Sequence, residues 1–310
     1  MMMSQLSDRA TSGQVGPTET AASKPSSPES SVLCGLIGQG IQGSLTPVLH
    51  EAEGAAQRLP YVYRLIDLEK IGRGLHDLPD ILAAAETLGF NGLNITHPCK
   101  QAVIPLLTEL SETARALGAV NTVLFKDDKR IGYNTDWNGF AEPFRRKMAD
   151  VKRDRVVQLG AGGAAAAVGH AALTLGVTEL TIFDIDAPRA EQLAAKLSAH
   201  FGAGRAKAGR DLATAMQMAN GFINATPVGM ASHPGVPLPV EMLRPDLWVA
   251  EIIYFPLETA LLKHARALGA RTLDGGGMAV FQAVEAFRLF TGIEPDSDRM
   301  LAHFAALRPA

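Results

Sequence analysis

The sequence predicts an α/β fold built from two successive runs of alternating strand and helix. Three observations carry that reading. Short apolar segments bounded by Gly, Pro and Asn recur between longer segments of helical spacing from Val32 to the C-terminus. A glycine-rich turn, Gly160-Ala161-Gly162-Gly163-Ala164-Ala165, stands between an apolar strand and an alanine-rich helix. At 310 residues the chain is also long enough for two domains, each with its own core.

Composition narrows the classes further. Residues AVILMFWYC make up 47% and charged residues 20%, with a net charge of -3, as in an ordinary soluble protein. There is no basic patch of the kind that binds nucleic acid, and no apolar run approaches a membrane-spanning length. The two cysteines, Cys34 and Cys99, are too few for a disulfide framework or a zinc site. No metal is therefore expected, and a reduced, cytoplasmic setting fits. Residues 1–31 are rich in Ser, Thr, Pro, Ala and Glu and poor in large apolar side chains. Such a stretch cannot bury enough surface to offset its ordering entropy, so it reads as a disordered tail. It also lacks the apolar centre of a secretory signal.

The first ordered element is a buried strand, Val32–Gly38. A turn-rich stretch leads to a helix from Val48 to about Gln57, a strand over Tyr61–Asp67 and a helix over Leu75–Leu88. The next strand, Asn91–Thr96, must stop there, because Pro98 fixes its own φ and pushes His97 into an extended conformation. A helix over Lys100–Leu107 follows, then a short one over Ser111–Leu117 capped by Ser111. Val120–Phe125 and Arg130–Tyr133 read as strands around a charged hairpin tip, Lys126–Lys129. This first run is expected to form a parallel-type layer, followed by a helix over Trp137–Met148.

The second run opens with the strand Arg155–Leu159, the glycine turn and a helix to about Leu175. The strand Glu179–Phe183 and the helix Pro188–His200 come next. A strand from Gly221 ends in the polar loop Asn224–Met230, and His233–Pro239 is a Pro-rich surface loop. The strand Leu247–Ile253, the helix Leu257–Leu268 and the short strand Arg271–Leu273 complete the run. Gly275-Gly276-Gly277 then leads into a long helix, Ala279–Phe290, and a last helix covers Asp298–Leu307.

Candidate chemistry gathers where strands end. Thr96 and Lys100 fall at the carboxyl end of a strand beside a helix start, the edge at which open α/β sheets hold ligands. Lys100 there can be a general base, a phosphate anchor or a surface charge. Asp136, near a helix start, is either an N-cap or a carboxylate brought to Lys100, and sequence spacing leaves both open. In the glycine turn, Gly160 permits the tight turn, Gly162 lets a pyrophosphate approach the backbone, and small Ala165 lets helix and strand pack closely. The helix N-terminus offers free N–H groups to phosphate. Asp184, about twenty positions on, is placed to bond the adenosine ribose and would repel a 2′-phosphate, which favours NAD over NADP. Its other reading is the start of a turn.

Taken in order, several segments resemble the shikimate/quinate dehydrogenase family. They are Ser44-Leu45-Thr46-Pro47, Asn94-Ile95-Thr96-His97-Pro98-Cys99-Lys100 and Gly118-Ala119-Val120-Asn121-Thr122. Asn134-Thr135-Asp136-Trp137-Asn138-Gly139, Gly160–Ala165, Asn224–Met230 and Gln282-Ala283 continue the match, which runs from about Leu33 to the C-terminus. The resemblance implies a discontinuous N-terminal α/β substrate domain, residues 32–136 with 274–310. A Rossmann-like NAD-binding domain, residues 137–273, would be inserted between them, with the active site in the cleft.

By the same likeness, Lys100 and Asp136 are the catalytic pair, and Ser44 and Thr46 hold the substrate carboxylate. Thr96, Asn121, Asp136 and Gln282 surround the ring hydroxyls, and Tyr254 reaches the substrate. The cofactor set is Gly160, Ala161, Gly162, Gly163, Ala164, Asp184, Asn224, Thr226, Pro227, Gly275 and Met278. The implied activity is reversible oxidation of shikimate to 3-dehydroshikimate with a nicotinamide dinucleotide, NAD in preference to NADP, with quinate as a second acid to test. A lysine can accept the alcohol proton where desolvation favours its neutral form, and a nearby carboxylate opposes that, so the two are treated as one coupled unit. The expected partner is a small-molecule acid, with no nucleic acid and no membrane, and a homodimer is the assembly to test.

The chain departs from the family in places. Cys99 replaces the aromatic usually found before the family lysine and reads as a small buried filler. Asp184-Ile185-Asp186 differs from the Asn-Arg-Ser/Thr pattern of the NADP-using branch and supports NAD. Two further readings stay open: a non-catalytic ligand sensor using the same cleft, and an oxidoreductase for an amino analogue of shikimate or a methylene-folate.

Overall fold

The computed structural model describes residues 31–307. The expected tail, apart from Ser31, lies outside the described residues. Two six-stranded sheets organise the chain.

The first sheet is built from β1 (Val32–Gly38), α1 (Thr46–Ala56), β2 (Tyr61–Asp67), α2 (Leu78–Thr87), β3 (Gly92–Ile95), α3 (Cys99–Ala102), β4 (Glu109–Leu110), α4 (Glu112–Leu117), β5 (Thr122–Lys126) and β6 (Lys129–Tyr133). Its strand order is β2-β1-β3-β5-β6-β4. β1 runs parallel to β2 and β3, but β5 is antiparallel to both β3 and β6. The expected parallel layer is therefore a mixed sheet. Asp127 and Asp128 both take positive φ, 51° and 57°, and this two-residue reversal returns β6 beside β5.

Prolines account for two helices that differ from expectation. Leu75–Asp77 forms a separate 3₁₀ turn, and α2 begins only at Leu78, with Pro79 in its first turn. α3 stops at Ala102 and gives way to a 3₁₀ turn, Ile104–Leu106, because Pro105 has no N–H to continue the α-helical ladder. Ser111 caps α4 as expected, accepting from the N–H of Ala114.

The second sheet follows α5 (Asp136–Lys147). It comprises β7 (Arg155–Leu159), α6 (Gly163–Thr174), β8 (Glu179–Phe183), α7 (Ala187–Phe201), β9 (Ala206–Ala208), α8 (Leu212–Met218), β10 (Gly221–Asn224), β11 (Trp248–Glu251), α9 (Ala260–Ala267) and β12 (Arg271–Leu273). All its strands are parallel, in the order β12-β11-β10-β7-β8-β9. The chain winds outward from β7 in one direction and from β10 in the other. The crevice beyond the carboxyl ends of β7 and β10 is thus a topological switch point, where such sheets bind ligands.

α10 (Gly276–Thr291) and α11 (Ser297–Ala306) end the fold. α10 packs along α5 and also reaches β1, β5, α1 and α11. Phe140 and Phe144 of α5 and Met148 just past its end enter the core of the second sheet, while Phe287 and Phe290 of α10 cover Cys34, Tyr61 and Tyr63 of the first. The two helices meet over glycines: a Cβ on Gly139 would lie 2.6 Å from the Met278 carbonyl oxygen, and one on Gly277 would lie 2.7 Å from Pro143 Cβ. Among the described residues, no helix is long and apolar enough to cross a membrane.

Candidate active site

Lys100 lies in the first turn of α3, just past the end of β3. Asp136 is the first residue of α5, so it reaches the same place from the end of β6. Lys100 Nζ donates to Asp136 Oδ2 at 2.6 Å across 36 sequence positions. This decides between the two readings of Asp136: the cap position is Thr135, and the Asp136 carboxylate pairs with the lysine. Asp136 is buried, its own N–H donates to Asn134 Oδ1 at 3.1 Å, and its Oδ1 accepts from Asn121 Nδ2 at 2.9 Å.

Asn121 is drawn in with them, and its amide is fully engaged. Nδ2 also donates to Thr135 Oγ1, while Oδ1 accepts from the Thr135 N–H at 2.7 Å and from Thr122 Oγ1 at 3.1 Å. A contact from Asn121 to a ligand hydroxyl requires exchange of one of these bonds. Thr96 is half-buried at the end of β3, and its methyl group occupies the space a side chain at Gly38 would need. Ser44 and Thr46 stand together at the start of α1, Ser44 Oγ donating to Thr46 Oγ1 at 3.0 Å. Met278 and Gln282, on α10, touch the Gly139 position one turn along α5 from Asp136. Tyr254 is 57% exposed just beyond the end of β11. Cys99 is fully buried, and burial pushes its thiol up to about 11, so it is an inert filler rather than a nucleophile.

The glycine turn forms at the carboxyl end of β7. Gly160 takes φ +102°, and a Cβ there would lie 2.5 Å from the Ala225 carbonyl oxygen, so only glycine fits. At Gly162 and Gly163 nothing lies within 4 Å of where a Cβ would stand, which leaves the backbone before α6 open to a phosphate. Of the two readings of Asp184, the structure shows the turn. Its Oδ2 accepts from the Ala161 N–H at 2.7 Å, bracing the turn, and its Oδ1 accepts from the Asp186 N–H at 2.9 Å. Ala164 is half-buried and Ala165 fully buried on α6. Gly275 is needed where it stands, since a Cβ would lie 2.4 Å from the carbonyl oxygens of both Ile252 and Ile253.

Asn224 is fully buried, so it shapes the loop after β10 from beneath. Its Oδ1 accepts from Thr226 N–H and Oγ1, and its Nδ2 donates to the Val228 carbonyl at 3.0 Å, leaving Pro227 exposed. The same Nδ2 lies 3.1 and 3.0 Å from the two carboxylate oxygens of Glu251. Glu251 is a residue that sequence reasoning misses. It is buried at the end of β11, accepts further from the Ile253 N–H and Thr259 Oγ1, and so ties the β10 loop to the segment carrying Tyr254. Burial pushes its carboxyl up to about 7 against those bonds. The only signal for it in the sequence is a charged residue inside the apolar run Leu247–Ile253.

A parallel sheet with a switch point, a glycine turn opening onto a helix N-terminus, and a lysine–carboxylate pair at the edge of the first sheet fit a dinucleotide-dependent dehydrogenase. Comparison with known proteins gives the particular family. The family model described as shikimate dehydrogenase substrate binding domain matches residues 36–123, and that described as shikimate 5'-dehydrogenase C-terminal domain matches residues 275–303. A shikimate dehydrogenase (NADP(+)) of Streptomyces avermitilis is 58% identical over 90% of this chain and 97% of its own. A quinate/shikimate dehydrogenase (NAD(+)) of Corynebacterium efficiens is 50% identical over 89% of this chain and 99% of its own. Among solved structures, quinate dehydrogenase from Corynebacterium glutamicum in complex with NAD superposes with a TM-score of 0.86 at 49% identity, covering 89% of this chain and 99% of that one. The chain belongs to the shikimate dehydrogenase family.

Proposed function

We propose that this protein reversibly oxidises shikimate to 3-dehydroshikimate with a nicotinamide dinucleotide, with quinate as a second substrate. The observation that carries the reading is the 2.6 Å pair of Lys100 and Asp136 at a sheet edge, in a chain whose close relatives bear the names shikimate and quinate/shikimate dehydrogenase. A bound nicotinamide supplies the hydride acceptor. The open backbone at Gly162 and Gly163 and the start of α6 leave room for the pyrophosphate, and by family likeness Thr226, Pro227, Gly275 and Met278 would complete the cofactor site.

In this reading Lys100 and Asp136 together take the proton of the reacting hydroxyl and return it in the reverse direction. Ser44 and Thr46 hold the carboxylate through their hydroxyls, while Thr96, Asn121, Gln282 and Tyr254 orient the ring. NAD is the preferred cofactor, because the Asp184 carboxylate directly follows β8 and the neighbouring Ile185 is fully exposed with no charge to offer a 2′-phosphate. The residues divide accordingly into a substrate domain, 32–136 with 274–310, and a dinucleotide domain, 137–273.

The test is an NADH/NADPH absorbance assay on a grid of two acids and two cofactors. Turnover of shikimate is expected, faster with NAD; no turnover of either acid with either cofactor ends the proposal. Binding of shikimate without turnover moves the cleft to a sensor. Asp184→Ala should raise KM for NAD more than for NADP, and equal losses remove Asp184 from the ribose site.

A further inference from the structure

Behind Asp136 runs a line of buried polar side chains that crosses the first sheet. The Tyr63 hydroxyl on β2 donates to Asn94 Oδ1 on β3 at 2.7 Å, and Asn94 Nδ2 donates to Thr122 Oγ1 on β5 at 3.0 Å. Thr122 Oγ1 donates to Asn121 Oδ1 at 3.1 Å, and Asn121 Nδ2 donates to Asp136 Oδ1 at 2.9 Å. Tyr63, Asn94, Thr122 and Asn121 are each 4% exposed or less. The register explains how they meet. Tyr63 pairs with Cys34, two positions before Leu36, and Leu36 pairs with Asn94, which pairs with Thr122. Paired residues share a face, so Tyr63, Asn94 and Thr122 line one side of the sheet beneath α10.

We infer that Tyr63, Asn94 and Thr122 form a positioning relay that holds the Asp136 carboxylate in its working orientation from across the sheet. Every link donates in the same direction, toward Asp136, so each bond polarises the next and the last N–H of the chain is aimed at Oδ1. The two oxygens of Asp136 are thereby made inequivalent. Oδ1 is held by the relay and Oδ2 is left for Lys100. Among the described residues, Tyr63 is the only donor to Asn94 Oδ1, and Thr122 Oγ1 is both acceptor and donor in the middle, while the Thr135 N–H also holds Asn121 Oδ1 and Asn94 Nδ2 also reaches the Asn121 carbonyl. A group one ångström out of place at a reacting centre loses rate even when the change is remote.

The inference rests on the Lys100–Asp136 reading above, and the experiment separates the two. Thr122→Val keeps the shape but removes both central bonds, Thr122→Ser keeps the hydroxyl, Tyr63→Phe removes the distal donor, and Asp136→Asn alters the carboxylate itself. Steady-state kinetics with shikimate and NAD, together with melting temperatures, are measured for all four. Thr122→Val and Tyr63→Phe should each lower kcat about 10- to 100-fold, with KM for NAD within about twofold, and Thr122→Ser should recover most of the loss. The relay is overturned if Tyr63→Phe or a folded Thr122→Val keeps wild-type kcat while Asp136→Asn is inactive. It is equally overturned if Thr122→Ser is as slow as Thr122→Val, since shape and not the hydroxyl then matters. Wild-type activity in Asp136→Asn removes the underlying pair, and the relay with it.

Discussion

Lys100 and Asp136 meet at 2.6 Å because two chain segments end at one sheet edge, each with a polar group at the first turn of a helix. A positioned acid–base group is worth roughly 10²–10⁴ in rate, so Lys100→Ala should lose that much in kcat while folding normally. A rate near wild type would take the lysine out of the mechanism. The lysine itself is legible in the sequence, since Pro98 ends a strand two residues earlier and Lys100 follows at a helix start. The saturation of Asn121 and the burial of Glu251 are not, because Thr135 and Asp136 at the start of α5 and Asn224 on β10 are brought to them by tertiary packing.

At the scale of elements, the close crossing of α5 and α10 brings Met278 and Gln282 against Gly139, one turn along α5 from Asp136. Gly139 makes that approach possible, with the Met278 carbonyl 2.6 Å from where its Cβ would be. Gly139→Ala should therefore push the helices apart, costing about 1–3 kcal/mol, visible as a lower melting temperature, and should reduce kcat as well. An unchanged melting temperature would show that the crossing has room to spare. Most strands are readable from apolar runs and their turn residues; Tyr61–Asp67, Arg155–Leu159 and Glu179–Phe183 fall where the pattern puts them. β4 is two residues long and leaves no periodic signal. The 3₁₀ turns at Leu75–Asp77 and Ile104–Leu106 are hidden inside helical spacing until the prolines are weighed.

For the whole molecule, the last helix is clasped to the first. Glu53 on α1 is 2% exposed and accepts from Arg299 Nε at 2.8 Å and Nη2 at 2.6 Å, from the Asp296 N–H and from Gln57. Burial alone would raise the Glu53 carboxyl, but the bonds from Arg299, Gln57 and Asp296 outweigh it and hold it below its ordinary value of 4.5. A carboxyl lowered in the folded state contributes stability that is present above pH 4.5 and is lost as pH falls through the folded value. Arg299→Ala leaves a buried charge unpaired and should cost about 2–3 kcal/mol after allowance for the exposed side of the arginine. Urea midpoints across the acid range check both points: the variant should lose stability near neutrality and lack this acid-side decline. An unchanged midpoint would mean that the clasp carries no weight.

The sequence by itself determined the local pieces: where most strands and helices lie, which turn must be glycine, and which lysine opens the helix after a strand end. Those follow from the backbone limits of Gly and Pro and from the spacing of apolar residues, which act over a few positions. Only the tertiary structure decided that Asp136 turns to Lys100 rather than capping its helix, that the first sheet is mixed, and that polar side chains from three strands converge behind the carboxylate. Such choices are made by register and packing between segments tens of residues apart, where the free energy of contact has no counterpart in the order of neighbouring residues.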